Sequence, residues 1–258
     1  MERSVYVNIE TWHASIPGLN PDFSRRIFIC MPDMYTEEEE SLPVMYMFDG
    51  QNLFYDEDAA YGHSWELASF VEQYNPGCIL VGIESSPFGN ERLCEYSPFT
   101  HHTPDLGLIH GVANTTLNWL IHELKPQIDA RFNTFSDREN TYLGGSSMGG
   151  LISLYGVAAR NDVFSRAACL SPSLWVHPEK SRRMLKVAGI LPHTRVYMDY
   201  GSEEMSNHAA TFGALLDCTR ILLEKDVDLT FRIDPYGDHS ESSWASRVPV
   251  MMQCLGLI

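Results

Sequence analysis

The chain has 258 residues, 44% of them hydrophobic, and a formal net charge of −16. That length and apolar content suit a single packed domain, and the acidity argues against nucleic acid, whose phosphates call for basic patches. No apolar run approaches the ~20 residues that span a membrane, and Met1, Glu2, Arg3, Ser4 and Val5 open no apolar signal core, so a cytoplasmic protein without a membrane partner is expected.

Strands are predicted, in chain order, at residues 5–10, 26–31, 43–48, 78–83, 141–143, 167–170, 195–200 and 229–233. The first two alternate in polarity and are expected to pair antiparallel. The later ones are denser in apolar residues, as strands covered on both faces should be. Helical patterns separate them. Leu117, Leu120, Ile121, Leu124 and Ile128 form one apolar stripe, and Phe212, Leu215, Leu216, Leu222 and Leu223 another. Pro126 should kink or split the first of these helices. Strands alternating with helices predict an α/β fold with a mostly parallel sheet. Glu37, Glu38, Glu39 and Glu40 read as a solvated loop tip. The stretch 84–111, rich in Pro, Gly, Ser and His, is expected to be a pocket wall or lid. Cys30, Cys78, Cys94, Cys169, Cys218 and Cys254 are scattered without a C-x-x-C and read as free, mostly core thiols rather than a disulfide frame.

The most informative motif is Gly145-Ser146-Ser147-Met148-Gly149. It follows the β-prone Thr141-Tyr142-Leu143 and precedes a helical pattern. Strand, sharp turn and helix make G-x-S-x-G a nucleophile elbow. The glycines answer a steric need, because a Cβ on either side of the strained serine would collide with strand or helix. Ser147 is therefore the candidate nucleophile, and Ser146 is off the centre of the pattern.

A serine hydroxyl needs a base to take its proton and a third group to orient that base. α/β-hydrolases supply them in the order Ser, acid, His. His239 lies on the loop after the last strand, before a helix carrying Trp244 and Val248. Asp199, Glu203 and Glu204 compete for the acid, at and just past the strand that ends in Gly201. A carboxylate just past the strand can reach the histidine, which favours Glu204. His63, His101, His102 and His208 remain candidates for a binding role, while His13, His110, His122, His177 and His193 read as surface or structural. An oxyanion needs two backbone donors. The N–H of Met148 follows the nucleophile, and the turn Asp49-Gly50-Gln51-Asn52 after the third strand offers that of Gln51.

Several segments make the chain resemble the putative-esterase branch of the α/β-hydrolases. They are Met45-Tyr46-Met47-Phe48-Asp49-Gly50-Gln51, Arg92-Leu93-Cys94-Glu95-Tyr96-Ser97-Pro98 and Glu123-Leu124-Lys125-Pro126-Gln127-Ile128-Asp129. The glycine-rich elbow, Ser171-Pro172-Ser173-Leu174-Trp175, the run Gly201-Ser202-Glu203-Glu204 and the stretch from His239 to Trp244 continue the set across most of the chain. That branch includes siderophore trilactone esterases, feruloyl esterases, S-formylglutathione hydrolases and mycolyl transferases. The resemblance implies an α/β-hydrolase fold with a mostly parallel eight-stranded sheet and helices on both faces. It places the acid three residues after the glycine, at Glu204, and an oxyanion donor after Asp-Gly, at Gln51. The chain is less basic than a site for a strongly anionic ferric siderophore would suggest.

The expected activity is hydrolysis of small-molecule carboxylic esters, short-chain acyl esters first, with neither metal nor organic cofactor. Siderophore trilactones or aromatic-acyl esters are the alternative, and a non-catalytic binding protein is the third reading. Homo-oligomerisation is left open. Arg92, Tyr96, Phe99 and Trp175 are the candidate substrate contacts. Trp175 reads equally as a core tryptophan, and Arg92 could instead pair with Glu95 to order its loop.

Overall fold

The computed structural model describes residues 7–33, 35, 41–103, 107–204 and 208–258, with the side chains of residues 208 and 210 left aside. The four consecutive glutamates and the first two residues of the first predicted strand lie outside them. The strands are β1 (Asn8–Ala14), β2 (Arg25–Met31), β3 (Val44–Phe48), β4 (Ile79–Ile83), β5 (His101–Thr103), β6 (Gly107–Ile109), β7 (Thr141–Ser146), β8 (Arg166–Leu170), β9 (Arg195–Gly201) and β10 (Asp228–Asp234). The helices are α1 (Leu67–Tyr74), α2 (Glu91–Tyr96), α3 (Ala113–Trp119), α4 (Lys125–Arg131), α5 (Met148–Ala159), α6 (Pro178–Val187), α7 (His208–Leu223) and α8 (Glu241–Leu255).

Eight strands form one sheet in the order β1-β2-β4-β3-β7-β8-β9-β10. β1 and β2 pair antiparallel, as do β2 and β4, and the remaining neighbours are parallel. β1 extends to Ala14, farther than the apolar pattern suggested, because its ladder runs from Asn8 opposite Met31 to Ala14 opposite Arg25. β2 is buried along nearly its whole length rather than alternating, since it sits inside the sheet. β1 and β10 are the edge strands, and β10 is only half buried.

Alternate side chains of each central strand enter opposite layers. Val44, Tyr46 and Phe48 of β3 join the core beneath α3, α5, α6 and α7, which includes Leu117, Leu151, Leu185 and Leu215. Met45 and Met47 join the opposite core, with Leu67 and Phe70 of α1 and Val248, Met251 and Leu255 of α8. α1 and α5 thus cover opposite faces, and they follow the adjacent strands β3 and β7. Where neighbouring strands send their connections to opposite faces, a crevice opens at their carboxyl ends. The 49–52 turn and Ser147 both sit there.

Pro126 does not split its helix. α3 passes through one wider turn, Leu120–Leu124, in which the Lys125 N–H reaches back five residues to Leu120, and then continues as α4. The wide turn accommodates a residue that can neither donate a hydrogen bond nor sit close to the preceding turn. The stretch 84–111 holds α2 and the β5–β6 hairpin, two short elements without apolar periodicity.

Candidate active site

Ser147 occupies the junction of β7 and α5 at φ 55° and ψ −119°, a strained conformation for a residue with a side chain. Its N–H donates to Leu170 O at 2.9 Å, and its carbonyl accepts from Leu151 and Ser173 N–H groups, both at 3.0 Å. The flanking glycines have distinct steric causes. A Cβ on Gly145 would lie 2.9 Å from the backbone of Gly149, and one on Gly149 would crowd Asp49 and Phe48 at 3.2–3.3 Å. The elbow is therefore held by β8, the helix start and the end of β3 together.

Ser147 Oγ lies 3.0 Å from His239 Nε2, and His239 Nδ1 lies 3.0 Å from Glu204 Oε2. Glu204 is almost fully buried; its second oxygen accepts from the Gly201 N–H at 2.7 Å and from the Ser171 hydroxyl. His239 is held from three sides. Trp244 packs edge-on against its ring at 4.8 Å. Ser240 caps α8 immediately after it, accepting from the Ser243 N–H. The carbonyl of Asp238 just before it accepts from Arg247 Nη2 at 3.1 Å.

The three candidate acids separate by where they point. Asp199 is completely buried and turned away from the histidine: it accepts from the Ser171 N–H at 3.0 Å, Tyr197 hydroxyl at 2.8 Å and Arg247 Nη1 at 3.1 Å. Burial raises its carboxyl above the usual range, and Arg247 opposes that rise. Glu203 is exposed. Of the three, Glu204 alone bonds His239 among the described residues.

The Asp49-Gly50-Gln51-Asn52 turn faces Ser147 across the crevice. Asp49 is left-handed at φ 60°, and its carbonyl accepts from the Asn52 N–H at 2.9 Å. A Cβ on Gly50 would lie 2.6 Å from the backbone of β4, so the turn can sit this deep only with glycine. The side chain of Gln51 is committed to Ser85 through two hydrogen bonds at 3.0 and 3.1 Å. Neither the Gln51 nor the Met148 N–H has a backbone acceptor outside its own helical turn among the described residues.

A cleft of ≈ 400 Å³ opens here, walled by Gln51, Asn52, Ala60 and Tyr61 on one side, by His239, Ser240, Glu241 and Trp244 on the other, and by Arg92, Ser146 and Ser147. Arg92 forms a two-pronged ion pair with Asp49 at 2.6 and 2.7 Å. It does not pair with Glu95, which is buried and bound to Arg25. Tyr96 requires a correction as a substrate contact: its side chain is 0% exposed, behind the cleft, and its hydroxyl accepts from the Asp49 N–H at 3.1 Å. Burial pushes that phenol far up. Phe99 packs against His177 and Lys180 and is not among the cleft residues. Trp175 is also outside the cleft and is 41% exposed, which excludes the core-tryptophan reading. His63 borders a separate cleft between α1 and α8, His101 bonds the Phe99 carbonyl, and His102 is exposed in the hairpin. The His208 side chain lies outside the described residues.

Asn52, Tyr61 and Glu241 were not anticipated as cleft residues. Asn52 donates to Glu241 Oε1 at 3.1 Å and accepts from the Ala60 N–H at 3.0 Å, tying the turn to the start of α8. Burial raises the Glu241 carboxyl above its usual range, with the Asp49 charge adding to the rise. The Asn in Asp-Gly-Gln-Asn was the available signal, but its partner is 189 residues away. The six cysteines are all free, and burial pushes the thiols of Cys78 and Cys218 up to about 12, which keeps those two unreactive. Among the described residues no group of His, Cys, Asp and Glu could hold a metal ion, and no helix is long and apolar enough to cross a membrane.

Comparison with known proteins agrees with this architecture. The Bacillus subtilis protein YbbA, itself uncharacterised, is 28% identical over 189 residues, covering 70% of this chain and 69% of YbbA. The siderophore triacetylfusarinine C esterase of Aspergillus fumigatus is 30% identical over 140 residues, covering 52% of this chain and 45% of that one. The ferulic acid esterase AmCE1/Fae1A of Anaeromyces mucronatus superposes with a TM-score of 0.67 at 18% identity, covering 98% of this chain and 92% of the other, a likeness of fold. The family model "Putative esterase" matches residues 20–254, and the chain accordingly belongs to that family of carboxylic ester hydrolases, on the α/β-hydrolase fold.

Proposed function

We propose that the chain is a serine esterase that works through an acyl-enzyme, with Ser147 as nucleophile, His239 as base and Glu204 as the orienting acid. The observation that carries this reading is the continuous hydrogen-bonded line from Ser147 Oγ through His239 to Glu204, opening onto the cleft. A carboxylate only accepts hydrogen bonds, so Glu204 favours the tautomer with the proton on Nδ1 and leaves Nε2 free to take a proton. Ser147 Oγ attacks the ester carbonyl carbon while its proton passes to Nε2. The carbonyl electron pair moves onto oxygen, where the N–H groups of Gln51 and Met148 receive it. Collapse expels the alcohol with the proton from Nε2. Water then repeats the sequence against the acyl-enzyme, releasing the acid and returning the proton to Ser147.

The ≈ 400 Å³ cleft favours small esters. The relation to a siderophore esterase sustains a second reading, hydrolysis of siderophore trilactones or aromatic-acyl esters. Six free thiols are consistent with work in a reducing cytoplasm. The test is a p-nitrophenyl acetate, butyrate and octanoate series beside feruloyl and trilactone substrates, with wild type and Ser147→Ala in parallel. The short-chain reading requires the highest kcat/KM on acetate or butyrate and a loss of several orders of magnitude in the variant. Preference for feruloyl or trilactone substrates selects the second reading. No hydrolysis and no organophosphonate labelling of Ser147 would leave a binding protein.

A further inference from the structure

Ser171-Pro172-Ser173 follows β8 and touches the Ser147–His239–Glu204 line at both ends. Ser171 sits at φ 44°, the left-handed region, and its backbone N–H is anchored on Asp199 at 3.0 Å. Its hydroxyl oxygen accepts from Trp244 Nε1 at 3.0 Å and Arg247 Nη1 at 3.1 Å. A hydroxyl has two acceptor positions and one hydrogen. With both acceptor positions taken, the hydrogen goes to its remaining partner, Glu204 Oε1, the carboxylate oxygen that does not face His239. Two residues later, the Ser173 hydroxyl lies 3.2 Å from Ser147 Oγ, in a residue only 2% exposed, and has no other hydrogen-bond partner among the described residues. The Ser173 N–H also holds the Ser147 carbonyl at 3.0 Å.

We propose that this turn is a two-ended brace for catalysis: the Ser173 hydroxyl donates to the nucleophilic oxygen of Ser147, and the Ser171 hydroxyl fixes the outer oxygen of Glu204. The inference rests on the esterase reading. It follows from the order in which the protons are assigned. Glu204 places the imidazole proton on Nδ1, so the Ser147 hydrogen points to Nε2. The hydrogen at the 3.2 Å contact then belongs to Ser173. As Ser147 transfers its proton to Nε2 and forms the bond to carbon, negative charge passes through Oγ, and the Ser173 hydroxyl stabilises it. When the acyl-enzyme breaks, Oγ departs with the electron pair of the C–O bond, takes back the proton from Nε2, and meets the same donor. Ser173 therefore acts on both half-reactions at the reacting atom. Ser171 is a positioning residue, acting through Glu204.

The test compares Ser173→Ala, Ser173→Thr and Ser171→Ala with wild type, each alone and in a Glu204→Gln background. Three quantities are read: kcat and KM on p-nitrophenyl butyrate, and the rate of Ser147 labelling by an organophosphonate. Labelling of wild-type Ser147 reads the esterase proposal by itself; the ratios between variants read the brace. Loss of one hydrogen bond to a charge-bearing oxygen corresponds to about tenfold. Ser173→Ala should lower kcat and the labelling rate by about that factor with KM little changed, and Ser173→Thr should restore both. In the Glu204→Gln background Ser171→Ala should cost little more, because its partner is already altered. Ser173→Ala with wild-type kcat and labelling rate, or a Ser171→Ala effect that remains undiminished in Glu204→Gln, would overturn the corresponding end of the brace.

Discussion

The wall behind His239 and the wall across the cleft are built on opposite terms. Behind the histidine, Arg247 is 1% exposed and surrounded by Asp199, Glu204 and Asp234 at 3.1–3.6 Å, with Ser171, Ser243 and the Asp238 carbonyl as further partners. Its guanidinium joins the loops after β9 and β10, which carry Glu204 and His239, to α8. Across the cleft, among the described residues, Arg92 is part-exposed with a single carboxylate partner and Tyr61 is 78% exposed, and where the two walls meet Glu241 has one neutral side-chain partner, Asn52. A dry, multiply bonded wall permits one arrangement, whereas a wet wall of singly bonded groups can adapt to what enters. In the proposed mechanism the closed wall fixes His239 and Glu204, and the open one, with the Gln51 N–H, faces the substrate.

The sharpest way to break that division is at the acids. Glu204→Gln should lower kcat/KM by about 10³-fold or more, the scale seen when a triad acid loses control of the histidine tautomer, while Glu203→Gln should leave it unchanged. Steady-state kinetics on one short-chain ester measures both; equal effects would remove Glu204 from its role. Next comes the hub. Arg247→Met should destabilise the fold by about 3–5 kcal/mol, because it leaves Asp199 as an unpaired buried charge, and chemical denaturation measures it. A smaller loss in Arg247→Met/Asp199→Leu would show that the stranded carboxylate carries the cost.

On the open wall the expected effects are smaller. Arg92→Met should free Asp49 and loosen the 49–52 turn, lowering kcat/KM about tenfold, the scale of one lost charge-assisted hydrogen bond. Its melting temperature should move far less than that of Arg247→Met. The smallest effect belongs to Glu241. Its carboxyl is raised by burial, so the native state holds the proton longer than the unfolded chain does. The associated stability is complete below the ordinary carboxylate range and is lost as pH rises through the raised value. Glu241→Gln should therefore gain stability over wild type at pH 7 but not at pH 4, as thermal melts at the two pH values would record.

The same division explains what the sequence reveals. The positions of Ser147 and His239 follow from local punctuation: a glycine-flanked turn after a strand, and a histidine on the loop after the last strand. The core strands β3, β4, β7, β8 and β9 are legible because parallel strands buried on both faces are written as apolar runs. For the acid, the position just past the strand favours Glu204, but what occupies Asp199 is not legible: it is held by Tyr197, the Ser171 N–H and Arg247, the last 48 residues beyond it on a different element. The cleft lining is the least legible part. Aromatic residues near the motifs suggest a pocket, yet α2 turns Tyr96 inward beneath Asp49, while the wall is formed by Asn52 and Tyr61 from a segment with the composition of an ordinary turn.

Whether Ser147 is an activated nucleophile held by His239 and Glu204 can be read most directly by intact-mass detection of an organophosphonate adduct on wild type, Ser147→Ala and Glu204→Gln. One adduct is expected on wild type, none on Ser147→Ala and much slower labelling on Glu204→Gln. Labelling of Ser147→Ala at the wild-type rate would place the nucleophile elsewhere and contradict the proposed mechanism.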